Sequence, residues 1–328
     1  MSEKKVDKIH TLFAKNGEEA LAIAKSLVLK EAGKLECEKA RGALEYFINE
    51  YWHDVVTPAM IAISCRAAGG APKKTIPVAV PIIMISGAVD IHDDIIDKSK
   101  SKYNRQTVVG KYGEEIAILA GDALLFKGLT LMQEASKKYR GKSADIMKIL
   151  NDTFFELGDA ESSEFGFKTE RNLTPDKYIS VMKKKAADIE GLFHIGAIIG
   201  NATPLKASAL SYYGRAFGLL SILRDDWIDT LDSEELRHRT QFETLPLPIL
   251  YAMQTQEART QILAILQKCS SITKENAETL CTITDQFEGF KQTRKIMQDL
   301  VRETKSKLLK AKIESRDIER LLAFVSNI

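Results

Sequence analysis

The amino-acid sequence predicts an all-α fold in a single domain, 1–328. Apolar residues recur at helical spacing through long segments, whereas alternating strand patterns and hairpin turn signals are scarce. Of 328 residues 45% are hydrophobic, enough to bury a large core. No Pro/Gly/Ser-rich linker or shift in composition divides the chain.

Periodicity places the first helices over Glu18–Leu29, Glu38–Asn49, Pro58–Ala68 and Pro77–Ile96. Gly69-Gly70 follows the third as a C-terminal stop, because glycine takes the left-handed cap conformation without a Cβ clash. The most apolar stretch, Ile76 to Ile91, is interrupted by Pro77, Pro81 and Asp90 and is shorter than a membrane span, so a core helix is expected and no stable membrane insertion. Further helices are expected over Gly113–Tyr139, Ser143–Glu161, Pro175–Ile199, Ala207–Ile228, Leu247–Met253, Arg259–Cys269 and Lys274–Leu309. Thr174-Pro175-Asp176 supplies an N-cap with proline in the first helical position. Loops are expected at Lys98–Val109 and Leu231–Glu243.

The formal net charge is +2, from 47 Lys+Arg against 45 Asp+Glu. Such a balance gives no global field of the kind that draws a protein onto nucleic acid, so an anionic ligand has to be held locally. Cys37, Cys65, Cys269 and Cys281 are widely separated, lack zinc-type spacing and read as buried small hydrophobes. The charged start MSEKKVDKIH has no apolar run behind it, so a signal peptide is not expected and a cytoplasmic location is.

One local pattern occurs twice: Asp93-Asp94-Ile95-Ile96-Asp97 and Asp225-Asp226-Trp227-Ile228-Asp229 both read DDxxD. Aspartates four residues apart on a helix share one face, so their carboxylates can hold hard cations jointly, and Asp90 falls one turn earlier on the first stripe. Each cluster ends a strongly apolar helix, where the helix dipole is negative and like charges repel; the arrangement calls for a cation. A single copy reads most simply as a solvated helix end. Two copies point instead to two clusters aimed into one cavity mouth, with magnesium completed by substrate phosphates. Cations neutralising a leaving diphosphate would let an allylic C–O bond ionise in a dry cavity.

The chain here resembles the trans-isoprenyl diphosphate synthases. The matching stretches are Ile91 through Asp97, Gly113 through Leu125 with Gly121-Asp122-Ala123, Lys185-Ala186-Ala187, Tyr213-Gly214-Arg215, Arg224 through Asp229, and Thr244-Leu245-Pro246-Leu247. The resemblance implies a helical bundle around a deep apolar pocket, usually dimeric, with three Mg2+ ions at the mouth. It implies Asp93, Asp97 and Asp225 as metal ligands, Asp94, Asp226 and Asp229 in support, and Lys185 on the allylic diphosphate. Lys102, Arg105 and Arg224 are further candidates for that diphosphate. The residues four and five before Asp93, Val89 and Ala88, lie about 5.4 Å below the metals on a helix and would line a chain-length pocket reaching to Ile85.

The chain departs from the family where basic anchors for isopentenyl diphosphate are expected. Those positions read Asp54, Val55 and Ser86. Arg66, Lys73 and Lys74 are candidates for a rebuilt anchor. His53 reads as structural or as a base at the mouth, His92 as a hydrogen-bonding support for the aspartates, and Tyr51 and Trp52 as packing or cavity-lining aromatics. The leading expectation is condensation of an allylic diphosphate with isopentenyl diphosphate. The alternatives are a terpene-synthase-like lyase or an allylic–allylic condensing enzyme, and a non-catalytic subunit of a heteromeric synthase; a homodimer is expected unless the chain is such a subunit.

Overall fold

The structure, a computed structural model, describes residues 3–102, 104–139, 141–167, 170, 172–266 and 272–327. The described residues form helices throughout, apart from one two-stranded hairpin. By their contacts they divide into two compact units, Met1–Ile149 with Leu192–Ala207, and Leu150–Gly191 with Ser208–Ile328.

The first unit opens with α1 (Glu3–Ala32), longer than its periodicity suggested, and α2 (Glu38–Tyr46). A π-turn over Phe47–Tyr51 ends α2, and the Trp52 indole stacks on Phe47 at 5.2 Å. Helix α3 (Val56–Ala68) stops where expected: Gly69 has φ 102°, and its N–H and that of Gly70 close on the carbonyls of Arg66 and Cys65. A short 3₁₀ turn leads into α4 (Ile76–Ile96), which packs mainly against α6 (Glu114–Ser136). Gly128 of α6 permits this contact, since a Cβ there would lie 2.6 Å from Ile85 Cγ1 and 3.0 Å from the Pro81 carbonyl. Helix 72–96 is long and apolar enough to cross a membrane, with mean hydropathy 1.6. Its most apolar window is 67% buried within the protein, as a core helix would be. The expected loop between α4 and α6 holds the hairpin β1 (Ser101–Lys102) and β2 (Arg105–Gln106), then α5 (Val108–Tyr112), N-capped by Thr107.

Helix α7 (Ser143–Phe167) contributes to both units. The helix expected over Pro175–Ile199 is two, α8 (Pro175–Lys185) and α9 (Ala187–Ile199). The break has a local cause. Arg215 of α10 (Pro204–Leu231) donates to the Lys183 carbonyl at 2.7 Å, satisfying an acceptor that a continuing helix would have used. The Thr174 hydroxyl caps α8 through the Lys177 N–H.

The loop expected at Leu231–Glu243 is instead helix α11 (Ser233–Phe242), its first turn capped by the Asp232 carboxylate on the N–H groups of Glu234 and Glu235. Helix α12 (Leu247–Ala252) and α13 (Gln256–Leu266) follow, the expected end of α13 at Cys269 lying outside the described residues. The long helix expected over Lys274–Leu309 breaks into α14 (Lys274–Gln286) and α15 (Gly289–Lys310) at Glu288, whose φ is 60°. Gly289 allows the turn to press against α12, since a Cβ would meet the Pro248 carbonyl at 2.1 Å. Helix α16 (Arg316–Val325), absent from the sequence reading, buries Ile318, Leu321, Leu322 and Val325. Of the cysteines, Cys65 is buried as expected, Cys281 is half-buried, Cys37 is exposed, and Cys269 lies outside the described residues. Cys37 stands at the N-cap position of α2 and makes no side-chain cap there.

Candidate active site

The first aspartate cluster is the last turn of α4. Asp94 is 1% exposed, while the Asp93 side chain is 43% exposed. The Lys102 ammonium, carried by β1, lies 2.7 Å from Asp94 Oδ1 and 3.6 Å from Asp93 Oδ2. Burial works against that charge, but the contact with Asp94 outweighs it and holds the lysine protonated. The Tyr51 hydroxyl approaches Asp94 Oδ2 at 3.5 Å, and burial together with the Asp94 charge pushes its pKa up to about 12. Asp90 is pushed up to about 7, by burial first and then by the Asp54 and Asp93 charges. Arg105 is tied by its guanidinium to the Glu50 carbonyl.

His92 faces α6 with Nε2 3.4 Å from Asp122 Oδ1. Gly121 makes room for the ring, because a Cβ there would lie 2.5 Å from His92 Nε2. The Gly121-Asp122 pair thus seats a histidine beside the cluster. Upstream, two of the replaced anchor positions meet: Ser86 Oγ donates to Asp54 Oδ2 at 3.2 Å, while Asp54 Oδ1 caps α3 through the N–H groups of Val56 and Thr57. His53 Nδ1 lies 3.5 Å from Lys25 Nζ, and Arg66 donates to Asn16. Lys73 and Lys74 are exposed. Of the three chain-length candidates, Ile85 and Ala88 are buried at 3% and 0% and Val89 is 39% exposed. Trp52 and Phe47 fill the space beside Gly87.

The second cluster ends α10. Asp225 is its outermost carboxylate, 64% exposed, with Arg224 Nη1 3.6 Å away. Asp226 is 1% exposed and accepts the Tyr178 hydroxyl at 2.9 and 3.0 Å and the Leu247 N–H at 3.1 Å. Arg239 of α11 contacts both Asp226 and Asp229, at 2.9 and 2.8 Å. Nothing in the sequence singles out Arg239 or Tyr178; each meets the cluster only through folding. Trp227 packs on Phe290 with ring centroids 4.8 Å apart and lies under the Arg294 guanidinium. Lys185, at the end of α8, is held by Glu164 at 2.5 Å and Glu161 at 3.0 Å. Burial opposes its charge and Glu164 overrides it. Nothing in the sequence singles out these two glutamates, three residues apart on α7, either.

The donor atoms offered by Asp93 and Asp225 are exposed carboxylate oxygens, the hard type that Mg2+ takes. Each is of a donor type that suits the ion. A sequence profile described as polyprenyl synthetase matches residues 55–283, more than half of the chain. The chain belongs to the polyprenyl synthetase family. Among relatives of this family, it is 31% identical over 181 residues to a short chain isoprenyl diphosphate synthase of Methanothermobacter thermautotrophicus, covering 55% of each chain. It is 29% identical over 180 residues to a geranylgeranyl diphosphate synthase of Methanosarcina mazei, again covering 55% of each. The chain thus spans about half the length of these curated relatives. The fold extends further. The crystal structure of geranylgeranyl pyrophosphate synthetase from Pyrococcus horikoshii superposes with a TM-score of 0.81 at 23% identity, covering 98% of this chain and 99% of that one. At that identity it shows that this polyprenyl synthetase family member shares the all-α fold.

Proposed function

We propose that the chain is a magnesium-dependent class I trans-prenyltransferase that ionises an allylic isoprenoid diphosphate and condenses it with isopentenyl diphosphate to a longer trans-polyprenyl diphosphate. The observation that carries this reading is the doubled aspartate motif in a member of the polyprenyl synthetase family, each copy ending an apolar helix with its first carboxylate open to solvent. Asp93, Asp97 and Asp225 are the proposed metal ligands, and Asp94, Asp226 and Asp229 hold them in place. Bound Mg2+, three ions by family resemblance, would neutralise the departing diphosphate. Lys102 and Arg224 supply protein cations beside the clusters, and Lys185, now paired with Glu161 and Glu164, and Arg105, now bound to the Glu50 carbonyl, are the further cations proposed for the diphosphate. The apolar body of α4 keeps the reacting carbons dry.

We read the whole chain as one cytoplasmic catalytic domain. A homodimer is supported by α6, where Leu119 and Phe126 are 61% and 71% exposed two turns apart. A second reading, a lyase or allylic–allylic condensing enzyme without an isopentenyl site, is favoured by one observation: the Asp54–Ser86 pair occupies positions where a diphosphate anchor would be basic.

Incubation of purified protein with Mg2+ and geranyl, farnesyl or geranylgeranyl diphosphate, with and without isopentenyl diphosphate, tests both. Products lengthened by five-carbon units only in its presence support the first reading. Products independent of it support the second, and no consumption of any allylic diphosphate sinks both. Asp93→Ala and Asp225→Ala should each lower turnover about a hundredfold or more, about 2.7 kcal/mol of transition-state stabilisation, while the protein stays folded.

A further inference from the structure

Arg239 does something that the DDxxD pattern does not foretell. It is 8% exposed, and a single nitrogen, Nη1, lies 2.9 Å from Asp226 Oδ1 and 2.8 Å from Asp229 Oδ2. Its Nη2 donates to the Thr244 carbonyl at 3.4 Å, and its Nε faces Glu243 Oε2 at 3.4 Å. Two carboxylates bridged by one positive atom is the role a divalent ion would play between them. A guanidinium stays charged at any working pH and presents a rigid planar fork, so once buried among three carboxylates it is difficult to displace. Burial opposes its charge, and Asp226 more than offsets that effect. The first cluster differs. Its protein cation is Lys102, a single ammonium 36% exposed on a two-residue strand.

We propose that Arg239 is a resident cation that takes the place of a divalent ion at Asp226 and Asp229, leaving Asp225 as the carboxylate of that cluster which takes metal. Arg239 is a positioning residue in this scheme: it fixes the last turn of α10 so that Asp225 stays exposed whether or not metal is bound. The two copies of one sequence motif are therefore chemically unequal. The inference rests on the reading of Asp225 as a metal ligand.

Binding of Mn2+ to the full chain in the presence of inorganic pyrophosphate, followed by the electron paramagnetic resonance signal of free Mn2+, tests this without turnover. Asp225→Asn should weaken binding about tenfold or more, and Asp229→Asn should stay within about twofold of wild type. Arg239→Met should lower the unfolding temperature, gain more on adding Mn2+ than wild type does, and take up an additional Mn2+ ion. Arg239→Lys, which keeps the charge, should not take up that ion. If the guanidinium served packing alone, Arg239→Met would lose stability and gain no more from metal than wild type does, which overturns the proposal. So does an Asp229→Asn variant that loses as much Mn2+ affinity as Asp225→Asn; this arm decides even if Arg239→Met fails to fold. Wild-type protein that binds no Mn2+ with pyrophosphate would overturn the metal-dependent function as well, whereas equal losses at Asp225 and Asp229 in a protein that does bind overturn the Arg239 assignment alone.

Discussion

Ser86 donates its hydroxyl to the Asp54 carboxylate at 3.2 Å, across 32 residues of chain. A carboxylate at that position would repel a diphosphate bound beside it, and its other oxygen is committed to the start of α3. Asp54→Asn keeps acceptors for both helix N–H groups and removes the charge. It should lower the KM for isopentenyl diphosphate severalfold, with the KM for the allylic substrate unchanged. An unchanged isopentenyl diphosphate KM in a folded Asp54→Asn protein would show that Asp54 does not face that substrate.

The close approach of α4 and α6 makes two glycine substitutions unequal. At Gly121 the obstacle is the His92 ring, 32% exposed and able to swing, whereas at Gly128 it includes the Pro81 carbonyl and the Ile85 N–H of the helix backbone. Gly128→Ala should therefore destabilise by about 2–3 kcal/mol and Gly121→Ala by less than about 1 kcal/mol, measured by urea unfolding. His92→Ala should relieve the Gly121→Ala penalty. Equal penalties would mean that the His92 ring is held as firmly as backbone.

Asp188 gives the stability a pH dependence. Its carboxyl is pushed up to about 6, chiefly by burial, against the pull of the Ile189 N–H and Arg215. The folded state binds the proton more tightly than the unfolded chain does. Asp188 therefore costs nothing below the ordinary carboxylate range; its penalty grows as pH rises from about 4 to about 6 and is full above that. Asp188→Asn keeps an acceptor for the Ile189 N–H and should stabilise the protein at about pH 7.5 by on the order of 1 kcal/mol, a figure reduced because the side chain reaches solvent. The advantage should vanish at about pH 4. An advantage equal at both pH values would exclude the carboxyl as its source.

Chain length should depend on Val89 more than on Ala88. Ala88 is fully buried, so Ala88→Phe overfills packed space and should destabilise by about 1–3 kcal/mol. Val89 is 39% exposed, and Val89→Phe should shorten the product while the unfolding temperature holds. Mass spectrometry of products and thermal unfolding separate the two effects, and unchanged product length in folded Val89→Phe would remove Val89 from the pocket.

Much of this was legible in the sequence because it is local. Apolar runs of helical period close on DDxxD in both α4 and α10, and the caps at Thr174 and Gly69 are read from a few neighbouring residues. What escaped depends on partners distant in the chain. Helix α11 is polar over most of its surface and reads as a loop; its buried Arg239 becomes intelligible only beside Asp226 and Asp229. The break at Ala186 follows from Arg215, and the fate of Lys185 from Glu161 and Glu164. Burial of Ala88 is likewise a property of the packed fold and not of its neighbours in sequence.

The chain has two tryptophans, and the fold gives one to each compact unit: Trp52, 3% exposed against Phe47, and Trp227, beside Phe290 and Arg294. Single-tryptophan variants, Trp52→Phe and Trp227→Phe, therefore make each unit report its own melting by fluorescence. If the chain is one cooperative domain, both curves share a midpoint with each other and with circular dichroism. Because Trp227 adjoins Asp226 in the chain, its emission should also respond to charge arriving at the second cluster, free of any added label.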